Sequence, residues 1–127
     1  MLPQNALVVV ADGHSATLFR NEARHGIELT DPRRVTPESL SDPATTPEFD
    51  EISPRDEEEA AFAVQLTRHL NALVLKNKVD DVVIVADPST LGVMRKHYHK
   101  ELQFRLRKEL PKTMTNADIR AIQDALA

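Results

Sequence analysis

Cysteine is absent from this chain of 127 residues, and no apolar run is long enough to span a bilayer. Without cysteine, neither disulfide bonds nor thiolate metal sites are possible. The first seven residues also lack the basic start of a secretory signal, and Asp12 soon interrupts the apolar run that follows them. The composition, 41% hydrophobic and 28% charged, is ordinary for a globular protein, so we expect one cytoplasmic domain over residues 1–127 without membrane contact.

The formal net charge of −4 hides two segments of opposite sign. Residues 31–59 contain ten acidic residues against three arginines, a net charge of −7. Residues 95–112 contain seven basic residues against two glutamates, a net charge of +5. Such asymmetry bears on partners rather than on fold, and only the second segment has the sign that attracts nucleic acid.

Two apolar runs, Val8–Val10 and Val83–Val85, are both followed by Ala-Asp, which places Asp12 and Asp87 at equivalent positions. Runs that do not alternate are typical of strands covered on both faces in a mostly parallel sheet. If these strands are parallel neighbours, both carboxylates lie at the carboxyl edge, where open α/β sheets bind ligands. Together they could hold a divalent metal or perform acid–base chemistry. The alternative is a local role for each aspartate, in a turn before glycine or as a helix cap.

The first third of the chain predicts a β-meander with strands at about residues 6–11, 16–21 and 27–30, and with Phe19 in the core. Residues 31–55 hold five of the eight prolines and little periodicity, so we expect a long, flexible acidic loop there. A loop of this kind is either simply solvated or part of a binding site.

A helix is then predicted from Ser53-Pro54, whose serine is a favoured cap, to about Asn77. His69 lies beside its apolar stripe and is expected to be a packed residue rather than a ligand. The stripe consists of Phe62, Leu66, Leu70 and Leu73. A fourth strand, Val82–Ala86, follows.

Residues 89–110 predict one continuous helix, because apolar side chains recur every three or four residues. On such a helix Lys96, Lys100 and Arg107 would form a column on the opposite face, either solvated or in contact with phosphate. The apolar stripe consists of Leu91, Met94, Tyr98, Leu102 and Leu106.

Further groups at this segment add to the anion hypothesis. The backbone N–H groups of Ser89 and Thr90 at the helix start could receive an anion, and Arg95 begins the basic segment. His97 and His99 do not suggest a metal site, because residues two apart on a helix are rotated by about 200°.

The chain is predicted to end with a short strand at residues 112–115 and a helix capped by Thr115, with Asp118 three residues on. The inner face of that helix would be Ile119, Ile122 and Leu126. The resulting order, a β-meander followed by αβαβα, predicts an α/β fold with a ribonuclease-H-like mixed sheet and helices packed on it, in which strands one and four are parallel neighbours.

Several segments of the chain together resemble the bacterial host-attachment protein family. They are Ala11–Gly13 with Ala16–Asn21, Val85–Gly92 with Arg95–Lys100, and Glu109–Thr115. The family is named for a role in attaching bacteria to host cells and is similar to the middle domain of archaeal and eukaryotic peptide-release factors, which implies a ribosome- or RNA-associated role. Release factors hydrolyse peptidyl-tRNA with a Gly-Gly-Gln loop, whereas residues 31–55 contain neither glycine nor glutamine, so peptide release is not carried over.

We therefore expect a non-enzymatic protein that is involved in attachment to host cells and needs no cofactor. It would act through the ribosome, RNA or an acidic protein partner, bound at the basic segment. The alternative is a Mg²⁺-dependent nuclease or phosphohydrolase that uses Asp12 and Asp87 as metal ligands.

Overall fold

The computed structural model describes residues 3–40 and 54–126. They contain the strands β1 (Leu7–Ala11), β2 (Ala16–Asn21), β3 (Leu29–Val35), β4 (Val82–Ala86) and β5 (Leu106–Pro111). The helices are α1 (Pro37–Leu40), α2 (Pro54–Leu75), α3 (Pro88–Arg95), α4 (Lys100–Arg105) and α5 (Ile119–Leu126).

The strands form one mixed sheet in the order β3-β2-β1-β4-β5. β1 is antiparallel to β2 and parallel to β4, which is itself parallel to β5. β4 occupies a central position, and all five of its side chains are completely buried, as its unbroken apolar sequence requires. The predicted α/β fold is thus confirmed, and the sheet has the order expected of a ribonuclease-H-like domain.

Helices cover both faces of the sheet. On one face, α2, α3 and α4 pack against alternate residues of the central strands, including Val9 and Ile84. On the other face, Ile122 and Leu126 of α5 pack against Val8 and its neighbours. Phe19 is buried in this second cluster, as predicted.

Helix α2 matches its prediction closely. Its buried positions include Phe62, Leu66 and Leu70, and Leu73 packs partly buried against the same cluster. It ends in a Schellman arrangement, because Asn77 has φ of 57° and the Lys78 N–H donates to the Leu73 carbonyl at 3.0 Å. The proposed cap Ser53 lies outside the described residues.

Strand β3 is longer than predicted. The strand was expected over residues 27–30, but it runs from Leu29 to Val35 and takes up the start of the predicted loop. Asp31 and Pro32 lie in a bulge opposite Phe19, where Asp31 has φ of 55°. The bulge accommodates the Asp-Pro pair, which is typical of turns, and the strand continues its pairing with β2 beyond it. Residues 37–40 are helical, and most of the rest of the predicted loop, residues 41–53, lies outside the described part of the chain.

The prediction of one helix over residues 89–110 is wrong. α3 ends at Arg95, a turn follows, α4 is only six residues long, and residues 106–111 form β5. The apolar stripe nevertheless faces inward, since all five of its members pack in or against one cluster. Spacings of three and four residues also arise when two short helices turn their apolar faces toward the same cluster. The pattern therefore could not reveal the turn between α3 and α4.

The end of the chain also differs. The last strand is residues 106–111 rather than 112–115, because the segment assigned to the long helix supplies it. The Asp118 carboxylate, not Thr115, caps α5 by accepting from the Ala121 N–H at 2.8 Å. Ile122 and Leu126 are buried as predicted, but Ile119 at the first turn is 41% exposed.

Candidate functional site

The two aspartates do lie at one edge of the sheet. The register pairs Ala11 of β1 with Ala86 of β4, so Asp12 and Asp87 follow neighbouring parallel strands at their carboxyl ends. This placement was predicted from the sequence. What each carboxylate does there depends on the contacts that its own loop supplies.

Asp12 holds the turn between β1 and β2. Its Oδ1 accepts from the N–H groups of His14 at 2.7 Å and Ser15 at 2.8 Å, and its Oδ2 accepts from the Thr115 hydroxyl at 2.8 Å. Burial opposes the ionisation of Asp12, but these hydrogen bonds and the charge of His14 outweigh it and lower the pKa of the carboxyl below its ordinary value. The carboxylate therefore joins the first turn of the chain to the segment before α5.

Asp87 caps helix α3. Its Oδ2 accepts from the Thr90 N–H at 3.1 Å, so this N–H, which was predicted to receive an anion, already has an internal partner. The other oxygen, Oδ1, is buried and has no hydrogen-bond partner among the described residues. Ser89 lies exposed in the first turn of the helix. Within residues 3–40 and 54–126, no three acidic or histidine side chains are grouped as metal ligands would be.

The predicted column of cations is wrong, because its members lie on three different elements. Lys96 is the C-cap of α3, Lys100 is the first residue of α4, and Arg107 belongs to β5. Arg107 lies in a bulge of that strand and donates from Nε to the Asp81 carboxylate at 2.5 Å. Its charge is thus locally compensated.

Arg95 is compensated as well, through a small network that includes the single tyrosine. The Glu109 Oε2 accepts from Arg95 Nε at 3.1 Å and from the Tyr98 hydroxyl at 2.9 Å. Burial raises the pKa of Tyr98, and the hydrogen bond and negative charge of Glu109 raise it further. The same carboxylate raises the pKa of Arg95. Tyr98 is therefore a packed structural residue that ties the turn after α3 to β5.

The other two cations predicted to bind, Lys96 and Lys100, flank a turn that is fixed by Asn71 of α2. The Asn71 side chain donates to the His97 carbonyl at 3.0 Å and accepts from the His99 N–H at 3.1 Å. We call residues 96–100 the basic turn.

Within the basic turn, His99 caps α4, because its Nδ1 accepts from the Glu101 N–H at 3.1 Å. Both lysines and both histidines of the turn are exposed, whereas Tyr98 is partly buried. Short polar contacts thus fix the backbone that carries these exposed lysine and histidine side chains.

Phe104 adjoins the basic turn and was missed by the sequence analysis. It is 78% exposed and lies four residues after Lys100 on α4, so the two side chains share one face of the helix. The sequence did contain a signal, since Phe104 falls between the stripe positions Leu102 and Leu106. An aromatic residue that lies outside the inward-facing stripe of a helix is expected to be exposed to solvent.

Residues 7–126 match the model of a family described as "Protein required for attachment to host cells". The chain belongs to this family. The family suggests a role in host-cell attachment, as the resemblance had implied. A comparison with curated proteins finds no match.

Two of the motifs that carry the resemblance to the host-attachment family lie at the sites described above. Ala11–Gly13 leads into the turn held by Asp12, and Arg95–Lys100 contains the basic turn. The similarity to release factors stays a prediction. Among residues 3–40 and 54–126, no helix has both the length and the apolar character needed to cross a membrane.

Proposed function

We propose that this host-attachment protein is a non-enzymatic binding protein of the cytoplasm, and that its basic turn and Phe104 bind single-stranded RNA, such as an exposed loop of ribosomal RNA. The observation that carries the proposal is the pairing of Lys100 with Phe104 on one face of α4. Proteins that bind single-stranded RNA combine cations for the backbone with exposed aromatic rings on which bases stack.

The distribution of ion pairs supports this surface. Of the cations predicted to bind, Arg95 and Arg107 have carboxylate partners, at Glu109 and Asp81. Lys96 and Lys100 are exposed and form no ion pair within the described residues. Their charges remain available to an external anion, and the hydrogen bonds of Asn71 keep the turn between them ordered before binding.

The first experiment measures the affinity of the purified protein for a fluorescent single-stranded RNA at several salt concentrations. Replacing both lysines (Lys96→Glu with Lys100→Glu) should weaken binding and reduce the slope of log K against log salt by about 1.4, because each phosphate contact on a single strand contributes about 0.7. Phe104→Ala should cost about 1–3 kcal/mol of binding free energy, the usual worth of one stacked base.

The matched control reverses the charge of two exposed arginines elsewhere on the surface, Arg24→Glu with Arg120→Glu. Arg24 lies in the turn between β2 and β3, and Arg120 lies on α5 at the opposite face of the sheet. This variant has the same net charge as the double lysine variant. The two should therefore differ in RNA affinity only if the RNA binds at the basic turn. Equal loss of affinity in both variants would show a non-specific effect of net charge and would overturn the proposal.

The second experiment connects binding to attachment. Bacteria carrying the Phe104→Ala variant at the natural expression level should attach to host cells less well than those with the control variant. If the basic turn instead binds an acidic protein, the double lysine variant will lose attachment while the intact protein shows no affinity for RNA. That result would refute the RNA proposal.

The alternative function, a Mg²⁺-dependent nuclease or phosphohydrolase, stays a prediction. Both aspartates already have structural roles, Asp12 in a turn and Asp87 at a helix cap. Titration of the protein with Mg²⁺, with Asp12→Asn as the comparison, tests it. Failure to bind Mg²⁺ at millimolar concentration would exclude these residues as its ligands.

A further inference from the structure

A cleft of about 500 Å³ opens at the carboxyl edge of the sheet, on the side of Asp12 away from β4. The turn between β1 and β2, the junction of β3 with α1, and the first half of α2 form its walls. Its volume falls in the range of small-molecule sites, roughly 300–1,000 Å³. Ligands of open α/β sheets bind at this edge.

The cleft brings together polar side chains whose donors have no partner within the part of the chain that the structure describes. Arg34 lines it and makes no ion pair within the described residues, whereas its neighbour Arg33 pairs with Asp31 at 3.6 Å. The Gln65 amide and the Ser15 hydroxyl also line it and have no partner in the described part of the chain. A guanidinium, an amide and a hydroxyl together form a donor set suited to an anion.

The walls of the cleft are fixed by the rest of the structure. Asp12 holds the turn that carries Ser15, through two hydrogen bonds to backbone N–H groups. Thr36 and Ser39 hold the start of α1, since each hydroxyl accepts from the other residue's N–H, at 2.9 and 3.3 Å. On α2, the partly exposed Ala61 supplies an apolar wall, and the fully buried Phe62 beneath it belongs to the core. The site is therefore preformed, which lowers the cost of ordering it on binding.

We propose that this cleft binds a small organic anion, a phosphate or carboxylate carried on an apolar or aromatic body. The Arg34 guanidinium binds the anionic group, Gln65 and Ser15 orient it, and the body lies against the partly exposed Ala61 and Pro37. None of the residues that line this cleft belongs to the basic turn or is Phe104. The proposal therefore does not depend on RNA binding.

The test is a titration of the intact protein, followed through its amide resonances, with two pairs of ligands. AMP is compared with adenosine, and benzoate with benzyl alcohol, so that each pair differs in the anionic group. The anion should bind about tenfold more tightly than its neutral partner, a difference expected of one charged contact. The resonances of Ser15, Thr36 and Ala61 should shift. Preference for AMP identifies a phosphate ligand, and preference for benzoate identifies a carboxylate.

Two variants and a control locate the site. Arg34→Gln should weaken binding of the anion by about tenfold and leave the affinity for the neutral partner unchanged. Arg24→Gln, at the opposite edge of the sheet, should change neither affinity. Ala61→Met keeps the charge and the helix but fills the cleft, so it should weaken both members of a pair. Absence of anion binding at about 10 mM, equal affinity in Arg34→Gln, or shifts confined to other residues would each overturn the proposal.

Discussion

Replacing Asp12 tests whether this carboxylate serves mainly to hold the two ends of the domain together. In Asp12→Ala the turn loses its acceptor for Ser15 and His14, and Thr115 loses its link to β1. Hydrogen bonds to a charged group contribute about 1.5–3 kcal/mol, and less where water replaces the partner. We assign about 1.5 kcal/mol to Ser15, about 1 to Thr115 and about 0.5 to the exposed His14, a loss of about 3 kcal/mol in the free energy of unfolding.

Urea unfolding measures this loss. With a slope of about 1.5 kcal/mol/M, the midpoint of Asp12→Ala should fall by about 2 M. Thr115→Val, which removes one of the three bonds, should lose about 1 kcal/mol. The control Asp124→Ala removes an exposed acid of α5 with no partner in the described residues, and it should stay within about 0.5 kcal/mol of wild type.

The stabilisation by Asp12 should also depend on pH. Because the pKa of Asp12 is lower in the folded protein than its ordinary 3.8, ionisation stabilises the fold above about pH 4, and this is lost as the pH falls through the folded pKa. Asp12→Asn cannot ionise, so its stability deficit should shrink between pH 6 and pH 3. A constant deficit, or an Asp12→Ala midpoint equal to that of wild type, would refute the reasoning.

Three further predictions concern the packing around the basic turn. Glu109→Gln should lower the pKa of Tyr98 toward 10 in an ultraviolet titration, which reports this group alone because the chain has one tyrosine and no tryptophan. Arg105→Gln should reduce the free energy of unfolding by about 2 kcal/mol, since Arg105 donates to the Val74 and Val79 carbonyls at 2.9 and 2.8 Å. Asn71→Ala should speed amide exchange in the basic turn but lower the free energy of unfolding by no more than about 1 kcal/mol. Both hydrogen bonds of the Asn71 side chain go to that turn, and both are exposed.

Each of these has an outcome that contradicts it. An unchanged titration in Glu109→Gln would mean that burial alone raises the pKa of Tyr98. Wild-type stability in Arg105→Gln would mean that water replaces the guanidinium at the end of α2. Unchanged exchange in Asn71→Ala would show that the turn is held by its own capping contacts.

The sequence predicted the centre of the fold well, because burial there leaves a strong pattern. β1 and β4 are apolar throughout, and α2 has a regular stripe, so both strands, the helix and the parallel edge could be assigned. The pattern failed where short elements share one inward face. α3, α4 and the first residue of β5 present Leu91, Leu102 and Leu106 to the same cluster, and nothing in that spacing marks the turn between them.

The candidate sites follow the same division. The sequence by itself predicted that Asp12 and Asp87 share an edge, since both follow unbroken apolar strands that the order of elements makes parallel neighbours, and the register of β1 and β4 confirms it. Only the tertiary structure decided how the charges are partnered: Arg95 and Arg107 have carboxylate partners at Glu109 and Asp81, whereas Lys100 stands beside an exposed Phe104. Ion pairs form between residues far apart in the chain, and exposure depends on what packs above a side chain. Neither is encoded in local spacing, so the basic turn and the cleft beside Asp12 became visible only in three dimensions.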